Sequence, residues 1–213
     1  MTTTKVVLMG ANNPSIVRVI DRINKYNNDK ILICGCIDEN ARKHGDYLLG
    51  HQVIGGLEAL SRYPPEDFQV VNTIASSMSV RRGVTEQLAA KGYEFCTLID
   101  PSVELGYTKI GDGTIVYERA LVQPNVSIGN HCIVSSQSGV AHDCIVGNFV
   151  FVGPNSYLCG RCKLSDGVFI GAASTVLPDT KIGAWSVIGA GALVTESLPS
   201  RKTFIGAPAR QKP

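Results

Sequence analysis

His142, Asp143 and Gly160 are the residues of this 213-residue chain whose types and spacing can do chemistry together. An imidazole takes a proton from an attacking amine or hydroxyl near neutral pH. A backbone N–H beside it steadies the oxyanion that forms when a carbonyl is attacked. Gly160 follows His142 by eighteen residues. With no side chain, it leaves an open notch and a free N–H. Base and oxyanion donor side by side are what acyl transfer needs. Asp143 adjoins the histidine, but side chains alternate along an extended strand. To orient His142, a carboxylate has to swing round at the turn or come from a neighbouring subunit. The other histidines offer less: His44 and His51 lie in a polar loop and read as surface residues, and His131 stands beside a turn.

An eighteen-residue spacing means contact only if the chain returns to the same place at that interval. Every sixth residue from Ile110 to Val194 is Ile, Val or Leu, with no slip of register. The residue four places later runs from Thr114, Ala120, Val126 and Cys132 to Ala192 and stays small until Leu198. Six is not a helical period. With side chains alternating at two, both positions point inward and a turn falls once per hexad. Seven of the fifteen aliphatic residues are followed by Gly, which suits a turn because Gly tolerates positive φ. Three hexads close a triangular coil, so fifteen make about five coils, each rising ~4.8 Å. This is the hexapeptide signature of a left-handed parallel β-helix, the hand being what resemblance to such repeat proteins implies. An ordinary β-sandwich would not hold one register over 89 residues (110 to 198).

The composition is globular: 44% hydrophobic, 18% charged, net charge +2. That balance argues against a nucleic-acid or membrane-surface binder. No apolar run approaches the ~20 residues of a membrane span. The start, MTTTKVVLMG, lacks the apolar core and cleavage site of a signal peptide, so a cytoplasmic protein is expected. Seven cysteines are scattered without metal-ligand spacing, and no metal is expected. Cys132, Cys144 and Cys162 fall at inward positions as small core residues. The Cys159-x-x-Cys162 pair has one member at a turn and one inside.

Residues 1–100 follow a different pattern. Strands at Lys5–Met9, Ile31–Ile37, Gln69–Ile74 and Tyr93–Ile99 alternate with helices at Ser15–Tyr26 and Val80–Lys91. A short strand at Val53–Ile54 and a short helix over Gly56–Tyr63 lie between them. This predicts a parallel α/β sheet. The fold class is therefore an α/β Rossmann-like domain (1–100), then an all-β left-handed β-helix (101–198) and a C-terminal loop and tail (199–213). Ligands of such sheets sit at the carboxyl ends of strands. There the Gly10–Pro14 turn presents N–H groups suited to a phosphate. Asp38 can accept from a ribose or base, with Asn72, Ser76, Ser77 and Arg81 close by. The turn is not G-x-G-x-x-G. The same residues also fit a turn that serves only helix packing, with Asp38 a solvated strand end.

Taken together the motifs resemble the sugar O- and N-acyltransferases of the sialic-acid O-acetyltransferase and bacillosamine-type N-acetyltransferase family. The resemblance covers nearly the whole chain. It rests on Val6–Ala11, Gly35–Asn40, Arg81, Thr97–Ser102, the His142-Asp143-Cys144 hexad, Ile188–Thr195 and Ile205–Arg210. It implies a homotrimer packed through its β-helices, with acyl-CoA in the groove between neighbouring helices and a nucleotide-linked amino sugar on the N-terminal domain. His142 then matches the general base and Gly160 the contact to the thioester carbonyl. Ala172 and Ala190 share an outward column and line the CoA groove, with the loop at Pro208 closing its far end. Gly10, Asp38 and Arg81 fall where the family holds the nucleotide. Three departures stand out. The first turn continues as Asn12-Asn13-Pro14 instead of with Gly and His, which alters the nucleotide contacts. Phe151 replaces a second His, making that acyl or CoA contact apolar. Ser135 replaces an Asn in the sugar pocket. The expected activity is acetyl-CoA-dependent N-acetylation of a nucleotide-linked amino sugar. The alternatives are O-acetylation of a sugar or sialic acid, and a non-catalytic β-helix that binds nucleotide sugar.

Overall fold

Helix and strand patterns in the first hundred residues condense into a small mixed sheet. The structure, a computed structural model, describes residues 2–213. Two units divide at residue 98, one spanning 1–98 and the other 99–213. The first contains β1 (Thr3–Met9), α1 (Ser15–Tyr26), β2 (Lys30–Ile37), β3 (Tyr47–Leu48), β4 (His51–Gly55), β5 (Gln69–Asn72) and α2 (Met78–Ala89). The sheet order is β3-β4-β2-β1-β5. Strands β4, β2, β1 and β5 are parallel. α1 buries Ile16, Val17, Val19, Ile20 and Ile23, the positions that a helical period sets on one side.

Three local expectations change. The polar loop holding His44 and His51 contains a hairpin: β3 pairs antiparallel with β4, and His51 opens β4. Leu49 and Gly50, both at positive φ, make its two-residue turn. The short helix is a 3₁₀ segment, Leu57–Arg62. Of the expected strand Tyr93–Ile99, only Leu98–Ile99 is a strand, with a single bridge from Phe95 to Val70. At the start of the segment the Tyr93 hydroxyl donates to the carbonyls of Leu60 and Tyr63.

The second unit is a parallel β-helix. Fifteen two-residue strands run from Lys109–Ile110 to Leu193–Val194, one for each hexad. The first twelve each pair with the strand eighteen residues on, as Ser127 does with Ile145, Ile133 with Phe151 and Gly139 with Tyr157. The aliphatic residues from Val116 to Val194 are buried, and only Ile110 on the first coil is partly exposed. The small residues from Thr114 to Ala192 are buried too. Several carry a hydroxyl or thiol that donates to a corner carbonyl: Thr114 to Gly129, Cys132 to Gly147, Cys144 to Cys159, Cys162 to Leu177 and Ser174 to Gly189. The interior cysteines are thus donors to the coil's own backbone, and none of the seven cysteines forms a disulfide. The chain end is more than a tail. Thr203–Ile205 adds a parallel strand to the same stack, and Arg210–Gln211 folds back on it.

The hexad glycines do not supply the turn's positive φ. That falls two residues later, at Arg119, Asn125, His131, Gln137, Asp143, Phe149 and onward. The glycines are required by stacking. A Cβ on Gly153 would lie 2.6 Å from the Ile170 carbonyl oxygen, and one on Gly171 would lie 2.5 Å from the Ala190 nitrogen. Main chain cannot yield as a flexible side chain can. Gly171→Ala should therefore lower stability by about 1–3 kcal/mol in a denaturant titration. Gly106→Ala, where nothing lies within 4 Å, should leave it unchanged.

Candidate active site

The turn conformation of Asp143 settles which carboxylate orients His142. Its φ of 60° reverses the alternation of an extended strand. The carboxylate swings back to His142 and accepts from Nδ1 at 2.8 Å. Its other oxygen accepts from Asn125 Nδ2 at 3.2 Å. The hydrogen bond from His142, with that from Asn125 second, holds the Asp143 carboxyl below the usual carboxylate range. With Nδ1–H committed to Asp143, the hydrogen-bond network assigns Nε2 as the free acceptor. A neighbouring subunit is not needed for this contact.

Gly160 stands directly over the imidazole. A Cβ there would lie 2.7 Å from both Nε2 and Cε1 of His142, so any side chain would displace the ring. The Cys159 carbonyl accepts from the Cys144 thiol in the interior at 3.1 Å. In a trans peptide the N–H points opposite to the C=O, so the Gly160 N–H faces outward on the histidine's side. It has no acceptor among the described residues. The Gln123 side chain accepts the His142 N–H at 2.9 Å, and the His142 carbonyl accepts from Arg161 N–H at 3.0 Å. Arg161 is itself held by a two-pronged bond to Asp179 at 2.7 and 2.8 Å. The histidine side chain is 50% exposed, open to a substrate from outside.

The first unit has a separate cleft of about 390 Å³ lined by Gly10, Asn12, Asn13, Asp38, Glu39, Thr73 and Ser76, among others. The strand ends β1, β2 and β5 carry it. Gly10 has φ +102°, and a Cβ would lie 2.7 Å from Thr73 Oγ1. Asp38 is not a solvated strand end. It is 7% exposed and accepts from Ala11 N–H, Asn40 N–H and Lys43 Nζ at 3.0, 3.0 and 2.8 Å. Lys43 also bonds Asn12. Burial pushes the Asp38 pKa up, but these bonds outweigh it and hold it below the ordinary value. Much of the turn is also used internally: Gly10 N–H goes to the Ile37 carbonyl and Ser15 N–H to Asn13 Oδ1.

Some expected site residues stand elsewhere. Arg81 is fully buried. Its guanidinium donates to the carbonyls of Asn72 and Ile74. It braces the cleft wall from behind because α2 turns that face inward. Asn72 is buried as well, tied to Arg81 and Thr85, and Ser77 caps α2. Within the β-helix, Ala172 and Ala190 share one corner column, but it is not the column of His142 and Gly160. Phe151 lies on a flat face, stacked on Phe169 at 4.5 Å. Pro208 is exposed at the tip between Thr203–Ile205 and Arg210–Gln211. Ser135 is half-buried one corner before His142. One copy therefore does not gather these residues around Gly160. Gln123, Asn125 and Lys43 were not foreseen. The first two lie about one coil before the residues they bond, so the eighteen-residue interval could have found them; nothing in the sequence pointed to Lys43.

The β-helix thus sets the free Nε2 of His142 beneath the open main-chain N–H of Gly160. The pattern of the bacterial transferase hexapeptide (six repeats) matches residues 107–142 and 161–196. A comparison with curated protein sequences gives no match. Among solved structures, the acetyltransferase domain of PglB from Neisseria gonorrhoeae in complex with acetyl coenzyme A is 27% identical, with a TM-score of 0.84 over 99% of this chain and 100% of that one. PerB from Caulobacter crescentus, in complex with CoA and GDP-perosamine, is 26% identical, with a TM-score of 0.86 over 98% and 97%. WeeI from Acinetobacter baumannii shares the fold at 24% identity, with a TM-score of 0.82 over 99% and 100%. The chain is an acyltransferase that carries hexapeptide repeats, and it is similar over nearly its whole length to the acetyltransferase domain of PglB and to PerB.

The lowered pKa of Asp38 carries a sign. A carboxyl depressed on folding contributes stability above its unfolded value, 3.8, and loses it as pH falls through the folded value. Asp38→Asn should cost about 1–3 kcal/mol near neutral pH. In urea titrations the gap to the parent should close as the pH drops below that unfolded value.

Proposed function

We propose that the chain transfers an acetyl group from acetyl-CoA to the amino group of a nucleotide-linked amino sugar. The observation that carries this reading is the stack of the Gly160 N–H over His142 Nε2. The amine nitrogen attacks the thioester carbonyl carbon as His142 Nε2 takes its proton. The Gly160 N–H donates to the carbonyl oxygen while it carries negative charge. The C–S bond then breaks, and the CoA sulfur leaves as thiolate and takes the proton held on His142 Nε2, which returns the imidazole to its neutral form. Asp143 keeps Nε2 the accepting nitrogen throughout. No covalent enzyme intermediate is required, because Cys144 lies inside the coil and is committed to the Cys159 carbonyl.

The Rossmann-like first unit is the nucleotide holder in this reading, through Gly10, Asn12, Asn13 and Asp38, with Arg81 bracing the wall. Ser135 contacts the acceptor sugar. Phe151, Ala172, Ala190 and Pro208 contact the CoA. Because Ala172 and Ala190 stand on another corner from Gly160, one acyl-CoA touches both sets only in the groove between two left-handed coils of a homotrimer. PerB of Caulobacter crescentus, crystallised with CoA and GDP-perosamine, supports a nucleotide amino sugar as acceptor. Such a product belongs to polysaccharide biosynthesis in the cytoplasm.

His142→Ala should lower kcat about 10²–10⁴-fold while acetyl-CoA still binds in calorimetry. Turnover within threefold of the parent contradicts the assignment. A thermal-shift panel of UDP-, dTDP- and GDP-sugars identifies the nucleotide. No shift with any of them contradicts the nucleotide-sugar reading.

A further inference from the structure

The corner N–H beside the turn has no fixed partner in this fold. At Asp112, Asn130 and Asn148 it donates to no main-chain acceptor. There it is taken by a side chain one coil above: Asp112 N–H by Asn130 Oδ1, Asn130 N–H by Asn148 Oδ1, and Asn148 N–H by Asp166 Oδ1, at 2.8, 2.8 and 2.7 Å. On the histidine's corner Gly160 lies one coil above His142 and offers no side chain. His142 N–H is taken from below, by Gln123. Gly160 could be served by either route. From below the place of Gln123 is filled by Ala141, and from above the place of Asn130 is filled by Pro178. Neither has a side-chain acceptor. Gly160 is buried, and its N–H still has no acceptor.

We propose that Pro178, with Ala141 below, is a positioning residue that keeps the Gly160 N–H unbonded so that it can receive the thioester oxyanion. The proposal rests on the reading of Gly160 as oxyanion donor. An Asn at 178 would stand to Gly160 as Asn130 stands to Asp112. Its amide oxygen would occupy the N–H before substrate arrives. Pro178 is exposed, so the exchange leaves the packed interior alone.

Pro178→Asn is compared with Pro178→Leu, which has similar size and no acceptor. Amide hydrogen exchange at Gly160 and steady-state kinetics are measured on the full chain. The expected result for Pro178→Asn is at least tenfold slower exchange at Gly160 and kcat lower by about 100-fold, the effect of losing one oxyanion donor, with KM for acetyl-CoA within threefold. Pro178→Leu should match the parent in exchange and keep most of kcat. Equal behaviour of the two variants overturns the proposal, as does a Gly160 amide already protected in the parent. If His142→Ala retains full turnover, the functional reading fails instead. The exchange contrast between the Pro178 variants still decides whether Pro178 leaves the N–H open.

Discussion

Parallel pairing at an interval of eighteen residues is the constraint on which the second unit depends. Each coil hydrogen-bonds to the next through main chain, as Ala141 N–H does to the Leu158 carbonyl and Cys159 N–H to the Val176 carbonyl. The register leaves no freedom along the axis. A residue at a corner lies under one particular residue of the following coil. His142 lies under Gly160 for the same reason that Ile133 lies under Phe151.

The corner of His142 and Gly160 is a local variation on this repeat. At Asp112, Asn130 and Asn148 a side chain from the coil above closes the main-chain donor. Under Gly160 the ring of His142 takes the room a Cβ would need. Inside, the Cys144 thiol fixes the carbonyl of the same peptide, and outside its N–H is left open. The consecutive residues His142, Asp143 and Cys144 thus meet at this corner: the ring lies under Gly160, the carboxylate holds the ring, and the thiol anchors the Cys159 carbonyl from inside. An unpaired donor in a buried residue costs about 1–3 kcal/mol. The hydrogen-bonded coils around it hold that geometry in place.

The β-helix and its stacked pair could be read from residue types at a fixed interval, because register converts sequence distance into contact. The side-chain swing of Asp143 could not be, since it depends on a positive φ placed one residue after the histidine. The role of the hexad glycines was misjudged for a related reason. A single coil suggests a flexible turn, whereas the reason for Gly153 and Gly171 lies in the coil above. The first unit has no such ruler. Asp38 was visible as a strand end, but Lys43 comes to it through a short 3₁₀ turn after Asn40. Arg81 looked like a ligand residue because it opens a helix. Which way that helix faces is set by Asn72 and Thr85, and spacing says nothing of it.

In the proposed reaction the open N–H of Gly160 holds the thioester oxygen while the free Nε2 of His142 takes the proton of the attacking amine. A crystal structure of the chain with acetyl-CoA tests it most directly. The account predicts the thioester oxygen within about 3 Å of the Gly160 nitrogen, with His142 Nε2 facing the side from which an amine would attack. A thioester carbonyl bound elsewhere, with the Gly160 N–H left to water, would contradict it.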